Sequence, residues 1–102
     1  MSTARNFEGQ FALVTGAATG IGEATARELS RRGARVGLLD INAEGAARAC
    51  AVIAAEGGDA WPFVADLTNW DATKRTVEEA HARAGRLDVV VHSAGEIGRA
   101  HV

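Results

Sequence analysis

The sequence predicts an α/β fold, a doubly wound parallel sheet truncated to four strands in the order 3-2-1-4 with helices on both faces. Three observations carry that expectation. Apolar runs of strand length alternate with segments of helix length; glycines cluster where the first run turns into the first helix; and an acidic residue, Asp40, closes the second run. Strands separated by helices of about ten or more residues pair in parallel through right-handed crossovers. If the second and third strands add outward on one side of the first, their helices share one face. A fourth strand returning to the other side puts its helix on the opposite face, and the glycine loop opens at the switch point between strands one and four.

Each element has its own local reason. Phe11 to Thr15 reads as a buried strand, and Gly20 to Arg32 as a helix with Ile21, Ala24, Thr25, Glu28 and Leu29 at helical spacing and Gly33 placed to end it. Arg35 to Asp40 is the second strand, with Val36, Leu38 and Leu39 apolar. Asn42 suits the N-cap of a helix from Ala43 to Glu56 that Gly57-Gly58 breaks, and its alanine-rich stretch to Ala55 suits close packing. Ala60 to Ala65 is the third strand. Thr68 or Asn69 can cap a helix from Trp70 to Ala84, which Gly85 stops, and Leu87 to His92 is the fourth strand around Val89-Val90-Val91. Cys50 is expected to pack rather than react, Trp61 and Trp70 to cover sheet or helix edges, and His81 to be solvated.

Composition narrows the class. With 102 residues the chain is one domain at most, short for a nucleotide-dependent enzyme. Hydrophobic residues at 47% and charged residues at 24% are ordinary globular usage, which argues against disorder. Eleven basic against thirteen acidic side chains give a net charge of −2 without a basic block, so neither a nucleic-acid nor a membrane partner is expected. The lone Cys50 cannot form an intramolecular disulfide, and no stretch has signal-peptide or membrane-spanning length, so a cytoplasmic setting is expected by default.

The glycine loop carries the chemistry. Thr15-Gly16-Ala17-Ala18-Thr19-Gly20-Ile21-Gly22 joins the first strand to the first helix. Helix starts leave backbone N–H groups unpaired at a partial positive charge, and glycines let a diphosphate approach without meeting a Cβ. Gly16, Gly20 and Gly22, with Thr19 and Ile21, are therefore expected around the pyrophosphate of a dinucleotide. Asp40, eighteen positions after Gly22, can accept hydrogen bonds from both adenosine ribose hydroxyls and would repel a 2′-phosphate. Thr19 and Ile41 occupy the places where Arg or Lys would welcome that phosphate, so NAD is expected over NADP.

On these residues the chain resembles the short-chain dehydrogenase/reductase family, whose cofactor loop reads Thr-Gly-x-x-x-Gly-x-Gly, in a Rossmann-like fold. The resemblance extends from the loop to Gly95 and implies that Asp66, followed by Leu67, lies against the adenine. The family's Asn-Asn-Ala-Gly after strand four is His92-Ser93-Ala94-Gly95 here. Ala94 and Gly95 fit, and the resemblance places them beside the cofactor ribose. His92 and Ser93 depart from the pattern; His92 is expected as a hydrogen-bonding replacement within the cofactor-binding set, not as an acid or base.

The resemblance further implies a homo-oligomeric NAD(P)-dependent oxidoreductase acting on a small secondary alcohol or ketone, similar to 3-oxoacyl thioester reductases. The family's catalytic residues are Tyr and Lys of Tyr-x-x-x-Lys with a Ser upstream. This chain has no Tyr, and Lys74 is its only Lys, so no catalytic or metal-binding residue is assigned. The alternative is a non-catalytic NAD-binding module; a methyltransferase fits the glycine spacing less well. Residues 1–95 are expected to be the cofactor-binding part of the domain, inactive alone and prone to aggregate where the fourth strand lacks a neighbour. Glu96-Ile97-Gly98-Arg99-Ala100-His101-Val102 can be encoded as GAG ATC GGA AGA GCA CAC GTC, which contains the start of a short-read sequencing adaptor, AGATCGGAAGAGCACACGTC. Residues 96–102 are accordingly expected to be a non-native tail.

Overall fold

The computed structural model describes residues 7–93. Its elements are β1 (Phe11–Thr15), α1 (Gly20–Arg31), β2 (Arg35–Asp40), α2 (Ala43–Ala55), β3 (Ala60–Val64), α3 (Trp70–Ala84) and β4 (Val89–His92). The strands form one parallel sheet in the order β3-β2-β1-β4, the expected topology. Ala94, Gly95 and the tail 96–102 lie outside the described residues.

β1 is central and buried along its whole length, so both of its faces must be apolar. Ala12 and Val14 point with Val36 and Leu38 toward one face, where Ala26 and Leu29 of α1 and Ala49, Cys50 and Ile53 of α2 complete a core cluster. Phe11 and Leu13 point the other way, with Leu39, Phe63 and Ala65, and Ala80 of α3 closes that side. The two helices that share a face and the one that opposes them are as the crossover argument requires. Burying each of the large side chains Phe11, Leu13, Leu38, Leu39 and Ile53 is worth about 1.5–3 kcal/mol.

At the end of the sheet where the strands begin, Trp61 covers edge strand β3. Its ring centroid lies 5.6 Å from that of Phe11, and the guanidinium carbons of Arg35 and Arg83 stand 5.8 and 5.9 Å from it. Pro62 is tolerated in β3 because the edge strand needs no outward N–H. Trp70, by contrast, covers nothing: it is 73% exposed at the first position of α3.

Several boundaries move inward. α1 ends at Arg31 and α2 at Ala55, because Arg32 and Glu56 already adopt capping conformations before the left-handed Gly33 and Gly57. β3 stops at Val64. β4 begins at Val89 rather than Leu87, since the Asp88 carboxylate accepts the Phe11 N–H at 2.9 Å where a strand carbonyl would otherwise serve. Asn42 and Asn69 are the N-caps, their side chains accepting from the Gly45 and Ala72 N–H groups at 3.0 Å each. Of the α1 residues read at helical spacing, only Leu29 is buried. Gly22, Ala26 and Leu29 face the sheet, whereas Ile21 is 71% exposed, because the close approach of Gly22 to the β1 loop sets the helix rotation. Among the described residues no helix is long and apolar enough to cross a membrane.

Candidate functional site

A cavity of about 260 Å³ opens where the strands end, across β3, β2, β1 and β4. Its floor is built by the turn after β1. Gly16 takes φ +69°, which lets its N–H donate to the Leu39 carbonyl at 2.9 Å and brings the Ala17 N–H to 3.3 Å from the same oxygen. A Cβ on Gly16 would lie 1.8 Å from the Ser93 carbonyl oxygen, and one on Gly22 would lie 2.1 Å from the Gly16 carbonyl oxygen. Both glycines are therefore required by the loop's own packing. Gly20 is different: a Cβ there would meet nothing within 4 Å. Its lack of a side chain leaves open space directly over the helix start.

Thr19 is the N-cap of α1, donating its hydroxyl to the Gly16 carbonyl at 2.8 Å and accepting the Gly22 N–H at 3.0 Å. The Glu23 N–H goes to the Thr19 carbonyl at 2.9 Å. The Gly20 and Ile21 N–H groups are left without an acceptor among the described residues, at the positive end of a twelve-residue helix. Such a terminus, flanked by open space, is suited to an anion.

Asp40 stands at the end of β2, 9% exposed, on the cavity wall. One carboxylate oxygen accepts the Ala18 N–H at 2.9 Å and the other the Asn42 N–H at 2.9 Å. The side chain thus ties the glycine loop to the start of α2. Each oxygen retains a lone pair, so the same group can accept two further hydrogen bonds from a ligand. Ile41, 62% exposed, forms the adjoining lip.

After β3, Asp66 and Leu67 line the far end of the cavity. The Thr68 hydroxyl, at 2.6 Å, and its backbone N–H, at 2.9 Å, both donate to one oxygen of Asp66, and they hold that carboxyl below the ordinary aspartate range. Thr68→Val is expected to return the Asp66 pKa toward the ordinary value, checked by following the Asp66 side-chain carboxyl carbon through an NMR titration. A carboxyl whose folded pKa is depressed adds stability above its unfolded pKa and loses it as pH falls through the folded one. The wild type should therefore shed this contribution in acid, and Thr68→Val, which keeps the backbone N–H bond, should shed less of it. Because Asp66 is exposed, solvent screening keeps the effect small.

Of the residues read from the sequence as cofactor contacts, Gly16, Thr19, Asp40, Ile41, Asp66 and Leu67 come together on this cavity. Gly20, Ile21 and Gly22 sit beside it at the helix start without lining it. His92 does not line it either; its ring Nδ1 lies 2.7 Å from the Thr15 hydroxyl, a side-chain tie between β4 and β1. Ala94 and Gly95 lie outside the described residues. Sequence reasoning missed Ala65, Thr68 and Ser93 as lining residues. Their signal was positional, since each lies at or just past a strand's end. Cys50, the one thiol, is buried far from this wall, and burial pushes it up to about 11. Among the described residues no Arg or Lys lines the cavity, which is walled by two carboxylates.

Comparison with known proteins places this geometry among dehydrogenases. The family model described as short chain dehydrogenase matches residues 10–102. The chain is similar to the 1-deoxy-11-beta-hydroxypentalenate dehydrogenase of Streptomyces avermitilis, 45% identical over 87 residues, which covers 85% of the chain but 32% of that relative. The chain therefore spans about a third of the relative's length. Its fold is similar to an NAD+-bound xylitol dehydrogenase (TM-score 0.80, 37% identity, covering 82% of this chain and 32% of that one). A metagenomic short-chain oxidoreductase in complex with NADP is equally similar (TM-score 0.79, 40% identity, covering 82% of this chain and 38% of that one). Relatives of this fold thus hold either dinucleotide.

Proposed function

Because the chain belongs to the short chain dehydrogenase family, we propose that it is the cofactor-binding part of an oxidoreductase that interconverts a secondary alcohol and a ketone, with NAD preferred over NADP. The observation that carries the preference is Asp40, nearly buried on a cavity wall that has no cationic side chain among the described residues. A carboxylate there accepts from the ribose hydroxyls of NAD, whereas a 2′-phosphate would bring like charge against it with nothing to neutralise it.

The residues present fit the dinucleotide. The free N–H groups of Gly20 and Ile21 would take the pyrophosphate, with Gly20 leaving room for it. Asp40 would hold the adenosine ribose, Asp66 and Leu67 would meet the adenine, and Ile41 would close the outer side. When bound, the nicotinamide supplies the hydride acceptor or donor. The chain's own residues bind and orient; with no Tyr and a lone Lys74 on α3, the reading assigns proton transfer to none of them.

Titrating the chain calorimetrically with NAD and NADP tests this. NAD is expected to bind at least about tenfold more tightly, the ratio that corresponds to roughly 1.4 kcal/mol of charge repulsion. Equal affinities would remove the preference, and a folded chain that binds neither would remove the reading.

A further inference from the structure

We propose that Gly45, in the first turn of α2, is a positioning residue for ribose recognition: its missing Cβ lets α2 close on Ala18 of the glycine loop, and that closure holds the Asp40 carboxylate facing the ribose hydroxyls. The proposal rests on the dinucleotide reading above and adds a residue that is not itself on the cavity wall.

Glycine is a poorer helix former than alanine, because it gives up more backbone freedom and packs no side chain. α2 is otherwise rich in alanine, and of the residues it buries, Gly45, Ala46, Ala49, Cys50 and Ile53, Gly45 alone has no Cβ. The reason is clearance. A Cβ on Gly45 would stand 2.7 Å from the Ala18 Cβ and 3.0 Å from the Asn42 Nδ2. The Ala18 methyl is fixed to the loop backbone and cannot swing away. The Asn42 side chain is held as the α2 N-cap, accepting the Gly45 N–H at 3.0 Å. Room for a methyl has to come from parting α2 and the loop.

Asp40 spans that seam. Its two oxygens accept the Ala18 N–H on the loop side and the Asn42 N–H on the α2 side, each at 2.9 Å. Hydrogen bonds weaken as donor and acceptor separate or lose alignment, so a wider seam loosens at least one of the two bonds that aim the carboxylate. The phosphate end of the site does not depend on the seam. The Gly20 and Ile21 N–H groups belong to α1, and the close approach of Gly22 to Gly16 and Ala17 seats that helix without α2. A methyl on Gly45 should therefore cost the grip on the ribose and spare the grip on the diphosphate.

The test is calorimetric titration of the whole chain, of Gly45→Ala, and of Gly45→Ala combined with Ala18→Gly, each with ADP and with 2′,3′-dideoxy-ADP, alongside urea unfolding of all three. Wild type is expected to prefer ADP about tenfold or more, because the dideoxy nucleotide lacks both hydroxyls that Asp40 accepts from. Gly45→Ala should weaken ADP about fivefold, the worth of roughly one hydrogen bond, and leave the dideoxy nucleotide unchanged. General damage to the fold would weaken both. Ala18→Gly removes the methyl that the new Cβ meets, so the double variant should recover most of the lost ADP affinity. Unchanged ADP affinity in Gly45→Ala, an equal loss with both nucleotides, or a double variant no better than the single one would each overturn the role of Gly45 while leaving the nucleotide site standing. If Gly45→Ala does not fold, the double variant decides: the role stands if it folds and prefers ADP as wild type does, and falls if it does not. A wild type that binds both nucleotides equally would remove the ribose contact of Asp40 and this proposal with it, and a folded wild type that binds neither would remove the dinucleotide reading itself.

Discussion

Gly16→Ala is expected to lower the stability of the fold by about 2–5 kcal/mol, read as a fall in the urea midpoint at unchanged slope. Two costs add. The backbone at φ +69° places a Cβ in the left-handed region, at roughly 1–2 kcal/mol. The added methyl would then stand 1.8 Å from the Ser93 carbonyl oxygen, and relieving such overpacking costs about 1–3 kcal/mol. The clash is between two backbones, so no flexible side chain can swing away. Relief would have to part β4 from the β1 loop, and that opens the cavity as well. Gly20→Ala is the matched control, because a Cβ there meets only open space. It should leave the midpoint within about 0.5 kcal/mol and weaken NAD instead. A Gly16→Ala variant as stable as wild type would sink this account of the loop, and so would a Gly20→Ala variant that unfolds.

The same contrast explains what could be read from the chain and what could not. β1, β2 and α3 are legible to the residue because Phe11–Thr15 and Arg35–Asp40 are dense apolar runs, and Asn69 and Gly85 punctuate the helix. The strand order followed from crossover handedness and needed no side-chain detail. The rotation of α1 was not legible. Its buried stripe is Gly22, Ala26 and Leu29, two of them too small to register as hydrophobic, while the exposed Ile21 is the residue that hydrophobic periodicity singles out. The roles of the three loop glycines were equally hidden. Spacing marks Gly16, Gly20 and Gly22 alike, yet only the register of β4 on β1 shows that Gly16 is packed against Ser93 and Gly20 against nothing. For the same reason Ser93 read as a departure from a pattern, whereas its place on the cavity wall depends on a pairing 77 residues away in sequence.

Asp40→Asn is expected to cost the fold about 3 kcal/mol and to narrow the preference for NAD. The stability loss follows from the two N–H groups that Asp40 accepts, from Ala18 and from Asn42. An asparagine has one oxygen, so its amide NH₂ must face one of these donors. A charge-assisted hydrogen bond worth about 1.5–3 kcal/mol is lost, and a part-buried N–H is left facing a donor. The ligand effect follows from charge. A carboxylate at about 4 Å from a phosphate repels it by about 1 kcal/mol in water and about 4 kcal/mol at the effective dielectric of a protein surface, and among the described residues the cavity wall holds no Arg or Lys to offset it. Removing the charge should therefore cut the ratio of NADP to NAD dissociation constants by about fivefold or more. The two effects can be separated. Denaturant unfolding reads the first, and calorimetric titration with both dinucleotides, at a denaturant-free temperature where the variant is still folded, reads the second. A destabilised variant with an unchanged ratio would leave Asp40 as a tie between the glycine loop and α2 and nothing more. A changed ratio with intact stability would mean that the backbone bonds to Ala18 and Asn42 are replaceable and that the carboxylate is kept for the ligand. Both changes together are what a side chain that builds the site and also reads the ribose must show.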